Sequence, residues 1–496
     1  MAMINQLEIA RRSRTEPKMD TLDFDMGIFR KTQELTKRYH LNVSGKEEFW
    51  DVDKAYADSV FQAGVDLLTE LGVFCVTTNR VVKFTEDEVK RAAREIPRTI
   101  VVGEGPDRRV FQKRGIEDRH NRPCFIAAGH SAWSDRVPLP MHLAVRANVT
   151  DERVCAMQSF MYAETDGYEI TGPTHWAYGA RRAFERVRTG CTLAGRPGLC
   201  VIQYPTITRA FGVIAAMDPV KGMRPTDGTL FSIQPDLHVE TDYIAASYVF
   251  EEYGLAYKEN QGGGSNFIAD IYGGMIMSVA SRLAAWMCYR DNMQGGGSAS
   301  APRGARRDWG GRSRYVPQLA TAQTKDGAYP LWLTFATFKA LHRNTGLITK
   351  ANIWGCHEMA VEQMSVEYLL MQALSAMRET LWGNHFHFAG SINPPSVIRW
   401  AADVSDAVIG SKLRLKDFKE LSEKVYREKL QGWADRDPRW ANTPDQRMKA
   451  YSDPANLLDV QLNVYDFYKQ KYSQEYLANE NTARRYLKDL GLDLQI

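Results

Sequence analysis

From Cys124 onward the chain alternates short apolar runs with longer amphipathic stretches, and this rhythm limits what it can fold into. The apolar runs are Cys124–Ala128, Ser159–Ala163, Leu199–Gln203, Thr229–Gln234, Leu255–Glu259, Leu347–Ile353 and Asn384–Ala389. Helical spacing fills the gaps at Trp176–Arg188, Arg209–Met217, Glu240–Tyr253, Ile271–Arg290, Leu331–Arg343, Glu358–Leu381 and Val397–Val408. Strands alternating with helices predict βαβ units on a parallel sheet. About seven such units over roughly 280 residues approach the span of an eight-stranded barrel. The eighth strand is expected between Gly295 and Val316. A doubly wound open sheet competes, but no GxGxxG opens the first βα unit.

The flanks read differently. Residues 1–20 are polar and expected to be loosely held. Leu22–Tyr39 and Val52–Leu71 carry apolar residues at helical spacing, and Gly72 stands where a C-cap belongs. Val73–Val76 and Arg80–Phe84 predict a hairpin, and Thr85 with Glu88 forms a capping-box pattern before the next helix. After Leu413 the chain is charged and helical, ending in a helix near Thr482–Leu490. The expectation is an α/β fold: a TIM (β/α)8 barrel over 121–412, a helical and β-hairpin extension over 1–120, and a helical cap over 413–496.

Composition narrows the function. The 63 basic and 60 acidic residues nearly balance, which argues against the clustered basic charge of a nucleic-acid binder. No apolar run approaches the ~20 residues of a membrane span. The N-terminus lacks the apolar core of a signal peptide. Seven cysteines without CxxC spacing suit reduced thiols. A cytoplasmic protein acting on a small molecule is expected.

Polar residues gather where the expected strands run out, the end at which a parallel barrel carries its chemistry. They are Gln203 and Tyr204; Gln234, Asp236 and His238; Glu259 and Asn260; Asn352 with Cys356, His357 and Glu358; and His385 with His387. Glu259 ends an apolar strand just before Gly262-Gly263-Gly264, so its carboxylate is partly desolvated and suits proton handling or cation binding. Glu358 either serves chemistry or is a first-turn acid of the helix that follows. His385 and His387, two apart on a strand, point the same way. They could hold a zinc ion with Cys356, His357 or Asp236, or simply line the barrel. Met293–Asp326 is a long Gly/Arg loop holding Arg303, Arg306, Arg307, Arg312 and Arg314. Such a loop either grips an anionic partner or is a solvated insertion.

Four separated segments carry a resemblance. They are Ala63–Phe84 with the TEDEV that follows, Pro138–His142 (PLPMH), Ala194–Val201 (AGRPGLCV) and Gly355–Glu362 (GCHEMAVE). In this order the chain resembles the monomethylamine:corrinoid methyltransferases of methanogens from about Leu22 to its end, the Gly/Arg loop excepted. The resemblance implies a (β/α)8 barrel, a homo-oligomer, and methyl transfer from a methylated amine to Co(I) of a corrinoid (cobalamin) on a separate protein. No metal bound directly by the chain is expected from it.

One departure falls inside the site. In that family the residue after AGRPG-x-x-Val is pyrrolysine, whose imine captures the amine; here it is Ile202. Glu259 matches a pocket carboxylate, while two pocket positions that are Gln and Tyr in the family align with Ile348 and Lys350. An aliphatic side chain cannot trap methylamine covalently. Members of the related trimethylamine group that lack pyrrolysine act on quaternary amines such as betaines, and the same donor class is expected here. A quaternary ammonium wants a carboxylate and aromatic faces. Glu259, Tyr204, Trp176, Trp354 and Phe386 are the candidates, with Gln203, Gln234, His385 and His387 as further lining. Glu259, His357 and Glu358 are the expected catalytic groups. The alternatives are a metal-dependent methyltransferase or hydrolase on His385 and His387, and a catalytically silent homologue that only binds amine or corrinoid protein.

Overall fold

The computed structural model describes residues 4–42, 52–128, 140–158, 172–203, 209–231, 237–260, 271–296, 328–352, 365–388, 395–430 and 463–495. The chain opens with helices α1 (Gln6–Thr15), α2 (Thr21–Arg38) and α3 (Lys54–Glu70). The hairpin β1 (Val73–Cys75) and β2 (Arg80–Val82) follows, then helix α4 (Glu86–Glu95) and strands β3 (Thr99–Val102) and β4 (Arg109–Gln112). Next come β5 (Phe125–Ala128), α5 (Met141–Asn148), β6 (Val154–Gln158), α6 (Pro173–Leu193), β7 (Cys200–Gln203), α7 (Arg209–Ala215), β8 (Gly228–Phe231) and β9 (His238–Val239). They are followed by α8 (Thr241–Tyr253), β10 (Tyr257–Asn260), α9 (Ile271–Tyr289) and β11 (Met293–Gly296). The last two barrel strands are β12 (Ile348–Asn352) and β13 (His385–His387). Eight strands close a barrel in the order β10-β11-β12-β13-β5-β6-β7-β8. The fold is a TIM-type barrel.

Local chemistry sets the helix starts. Asn5, Asp20 and Asp53 cap α1, α2 and α3 by accepting backbone N–H groups of Glu8, Leu22 and Tyr56. Thr85 and Glu88 form the expected capping box at α4. Residues 4–20 are not loose, which corrects the sequence expectation for them. Ile9 of α1 is fully buried, Arg12 pairs with Glu88 at 2.7 Å, and the Arg290 guanidinium holds the Ile4 carbonyl. One buried isoleucine and an ion pair leave little hydropathy signal, so composition alone misread the segment.

Two compact units divide the chain. The first comprises Met1–Ile100, Gly228–Trp309 and Lys325–Lys350. Its core is α9, apolar on nearly every face, against which α3 lies so closely that a Cβ on Gly64 would come 2.5 Å from Val279. The expected hairpin gains a third strand, because β9 pairs in parallel with β1. His238 therefore belongs to this small sheet, against the rings of Phe24 and Phe74.

The second unit comprises Val101–Asp227, Gly310–Thr324 and Ala351–Ile496. Its C-terminal helix Gln474–Asp489 is pinned through Arg484, which reaches Glu480 and Asp403 and lies 5.1 Å over the Trp400 ring. The helix expected from Glu358 starts later, at Val366, where the Ser365 side chain accepts the Tyr368 N–H. Glu358 lies outside the described residues. Strand β11 begins at Met293, two residues before the interval in which the eighth strand was expected. The strand expected at 159–163 falls outside the described residues, and β6 ends at Gln158. Among the described residues, no helix is long and apolar enough to cross a membrane.

Candidate active site: a buried carboxylate with its own ammonium

Alternation along β10 sends Lys258 one way and Tyr257 and Glu259 the other. Lys258 pairs with Glu251 on α8, while its backbone N–H donates to the Asn292 side chain at 3.0 Å. On the opposite face the Tyr257 hydroxyl donates to Glu259 Oε2 at 2.5 Å. Strand β12 repeats the pattern. Thr349 faces His342 on the helix Ala328–Asn344 at 2.8 Å, which leaves Ile348 and Lys350 on the other face. Lys350 Nζ stands 2.5 Å from Glu259 Oε1, and both side chains are 0% exposed. Tyr257 and Lys350 together occupy both oxygens of the one carboxylate.

Burial and pairing act against each other at this pair. Removal from water pushes the Lys350 ammonium down to about 8, although the Glu259 charge and hydrogen bond favour the charged form. Asp291, just ahead of β11, is fully buried, and among the described residues neither carboxyl oxygen has a hydrogen-bond partner. Desolvation pushes its pKa well up and the Glu259 charge adds to this, while Lys258 pulls the other way. Burial thus disfavours the charged form of Asp291. On the Glu259 face of the strand the paired charges are this carboxylate and the Lys350 ammonium, while burial pushes Lys258, on the opposite face, down to about 8 as well.

Gly228 makes room for the tyrosine. It pairs with Tyr257 in register, and a Cβ there would meet the Tyr257 side chain at 2.6 Å. Gly228→Ala is expected to lower stability by about 1–3 kcal/mol through overpacking and to unseat the phenol from Glu259; urea unfolding and methyl-transfer assays check both effects.

Ile202 and Gln203 lie on β7 in the second unit, 1% exposed each. The start of that strand is held by the AGRPG turn. Arg196 donates to Asp107 at 2.8 Å and to the carbonyls of Val149, Asp151 and Val154, while Asp107 also accepts the Gly198 N–H. Sequence reasoning missed this cluster, and missed Tyr257 and Asp291. The period-two spacing of Tyr257 and Glu259 was a usable signal. Asp291 offered none.

The histidine pair separates into two cases. His385 Nδ1 accepts the Cys124 N–H at 2.9 Å and its Nε2 meets the Gln112 carbonyl at 2.8 Å, so both ring nitrogens are taken by backbone. In this arrangement neither nitrogen is turned to a metal ion. His387 is buried one turn of the pleat further on, and Phe386 stacks on Phe125 with ring centroids 5.0 Å apart. Among the described residues no group of acids, cysteines and histidines could hold a metal ion. Trp176 is half-buried in the first turn of α6. Tyr204, Gln234, Asp236, Trp354, Cys356, His357 and Glu358 lie outside the described residues, as do the arginines of the Gly/Arg loop.

Residues 4–298 match the family model of the monomethylamine methyltransferase MtmB. The chain belongs to the MtmB family. Its relatives include monomethylamine methyltransferase MtmB2 of Methanosarcina acetivorans, 28% identical over 235 residues, and MtmB1 of Methanosarcina barkeri, 29% identical over 235 residues. Each alignment covers 47% of this chain and 50% of the relative, so the chain spans about half the length of the relatives it matches. Over the whole chain the fold is similar to the crystal structure of the M. barkeri monomethylamine methyltransferase. The TM-score is 0.74 at 20% identity, with 99% of both chains covered. A hydroxylamine complex of MtmB gives a TM-score of 0.73 at the same identity and coverage. The family match includes Ile202 and Glu259 and stops short of Ile348 and Lys350.

Proposed function

We propose that this chain moves a methyl group from a positively charged N-methylated amine, tertiary or quaternary, to Co(I) of a corrinoid carried by a separate protein. It does so without pyrrolysine. Membership of the MtmB family supports the reaction class, and the observation that carries the rest is Glu259, a fully buried carboxylate on a barrel strand in a chain with Ile202 at the matching site position. The corrinoid supplies the nucleophilic cobalt. The C–N bond breaks, its electron pair stays on nitrogen, and the amine leaves neutral without needing a proton. A cationic donor thus asks the protein only to bind, orient and exclude water.

Glu259 supplies the attraction and Ile348, fully buried on the strand face of Lys350, supplies an apolar wall. Tyr204 and Trp354 are proposed as aromatic faces for the cation. Gln203, Gln234 and His387 are proposed as lining, and His357 and Glu358 as groups that hold a tertiary amine protonated. The partner is a corrinoid protein, and the working form is a homo-oligomer.

The test is methyl transfer to Co(I)-cobalamin by the purified chain, using mono-, di- and trimethylamine, tetramethylammonium, betaines and methoxy compounds. Turnover is expected with tertiary or quaternary ammonium donors and not with monomethylamine. Turnover with monomethylamine alone overturns the reading.

A further inference from the structure

We propose that Lys350 is the resident counter-cation of this site, and that a methylated ammonium replaces it on Glu259 while Lys350 gives up its proton to solvent. The inference rests on the charged-donor reading above and specifies how that donor is admitted.

The geometry sets the problem. Glu259 already has both oxygens engaged, one by Tyr257 and one by the Lys350 ammonium, each at 2.5 Å and all buried. A tetraalkylammonium brought to this carboxylate would put two cations on one anion, out of water, where charges repel strongly. Other charged groups nearby offer no relief. Burial disfavours the charge of Asp291, Lys258 (itself pushed down to about 8 by burial) faces Glu251, and the outer side of β12 presents Thr349 to His342.

Discharging Lys350 removes the conflict. The exchange balances: Lys350–NH3+ and a bound tetraalkylammonium become Lys350–NH2, the bound ammonium and one proton in solution. Burial has already brought the lysine down to about 8, so at pH 7 the discharge costs only about tenfold in affinity. The sign follows from linkage. Binding releases a proton, so affinity for the cation rises about tenfold per pH unit below that value and levels off above it. A tyrosine or methionine at the position would show no such slope.

Calorimetric titration of the full chain with tetramethylammonium, without Co(I), in two buffers of different ionisation enthalpy counts the protons. Close to one proton released per cation is expected at pH 7, falling towards none above pH 9. Lys350→Met is expected to bind at least tenfold tighter at pH 7 with no proton released. The double variant Glu259→Gln/Lys350→Met, which leaves no unpaired charge, is expected to lose the binding. Cation binding by the parent without proton release overturns the exchange, as does release that survives in a folded Lys350→Met. Should Lys350→Met fail to fold, the proton count of the parent decides. Methyl transfer from an ammonium donor without proton release sinks the exchange alone. Absence of tetramethylammonium binding, with transfer only from neutral donors, sinks the charged-donor reading too.

Discussion

Glu259→Gln is expected to lower kcat/KM for a charged methyl donor more than tenfold, a loss of at least ~1.4 kcal/mol of transition-state stabilisation. The same substitution strands Lys350 in the dry interior. Breaking a buried ion pair from one side costs about 3–5 kcal/mol, and the lysine escapes part of that by losing its proton. The stability deficit therefore depends on pH. Below about 8 the parent keeps a paired ammonium, whereas the variant must bury a bare one or discharge it. Well above that value both carry a neutral amine and the two curves converge. Urea unfolding at pH 6.5 and pH 9 is expected to show the larger deficit at pH 6.5. An unchanged transfer rate removes Glu259 from the mechanism whatever its effect on stability.

Arg196→Met is expected to cost about 3–5 kcal/mol of stability, because it leaves Asp107 as a buried, unpaired carboxylate. It also takes the guanidinium away from the carbonyls of Val149, Asp151 and Val154. This is a large share of the margin of a folded domain. Asp107 also fixes the Gly198 N–H ahead of β7, so the strand bearing Ile202 loses its anchor. Thermal unfolding is the readout. The double variant Arg196→Met/Asp107→Leu, which removes both charges, should recover part of the loss, because an apolar pair of similar bulk is not penalised in the same way.

Much of this architecture was legible because its causes are local or periodic. The strand–helix rhythm, the capping box at Thr85 and the hairpin across Thr77-Thr78-Asn79 each follow from neighbours in sequence, and each is present. What was misplaced had weak or competing local signals, or was set by contacts remote in sequence. Strand β11 ends in Gly295 and Gly296, residues depleted in strands, so the sequence located it only within a broad interval that its second half overlaps. The helix after Cys356 has a helix-compatible sequence upstream, yet Ser365 supplies the N-cap and defines its start. The N-terminal segment looked loose because its anchors, Arg12 to Glu88 and Arg290 to Ile4, are remote in sequence.

The site divides along the same line. Glu259 was visible as an acid at the end of an apolar strand. Lys350 was visible only as an odd residue at a family position, since no sequence pattern says that its ammonium lies on Glu259. His385 and His387 looked equivalent by spacing, but the backbone of Cys124 and Gln112 takes both nitrogens of His385.

The central claim is that a chain with isoleucine at position 202 passes a methyl from a charged nitrogen to reduced cobalt with no covalent hold on the amine. Mixing the chain with Co(I)-cobalamin and tetramethylammonium, and following loss of the Co(I) absorbance against trimethylamine formed, tests it most directly. The account predicts one trimethylamine per Co(I) consumed, at a rate that Glu259→Gln lowers more than tenfold. Co(I) that persists with every tertiary or quaternary ammonium donor, while monomethylamine or a neutral donor consumes it, contradicts the account.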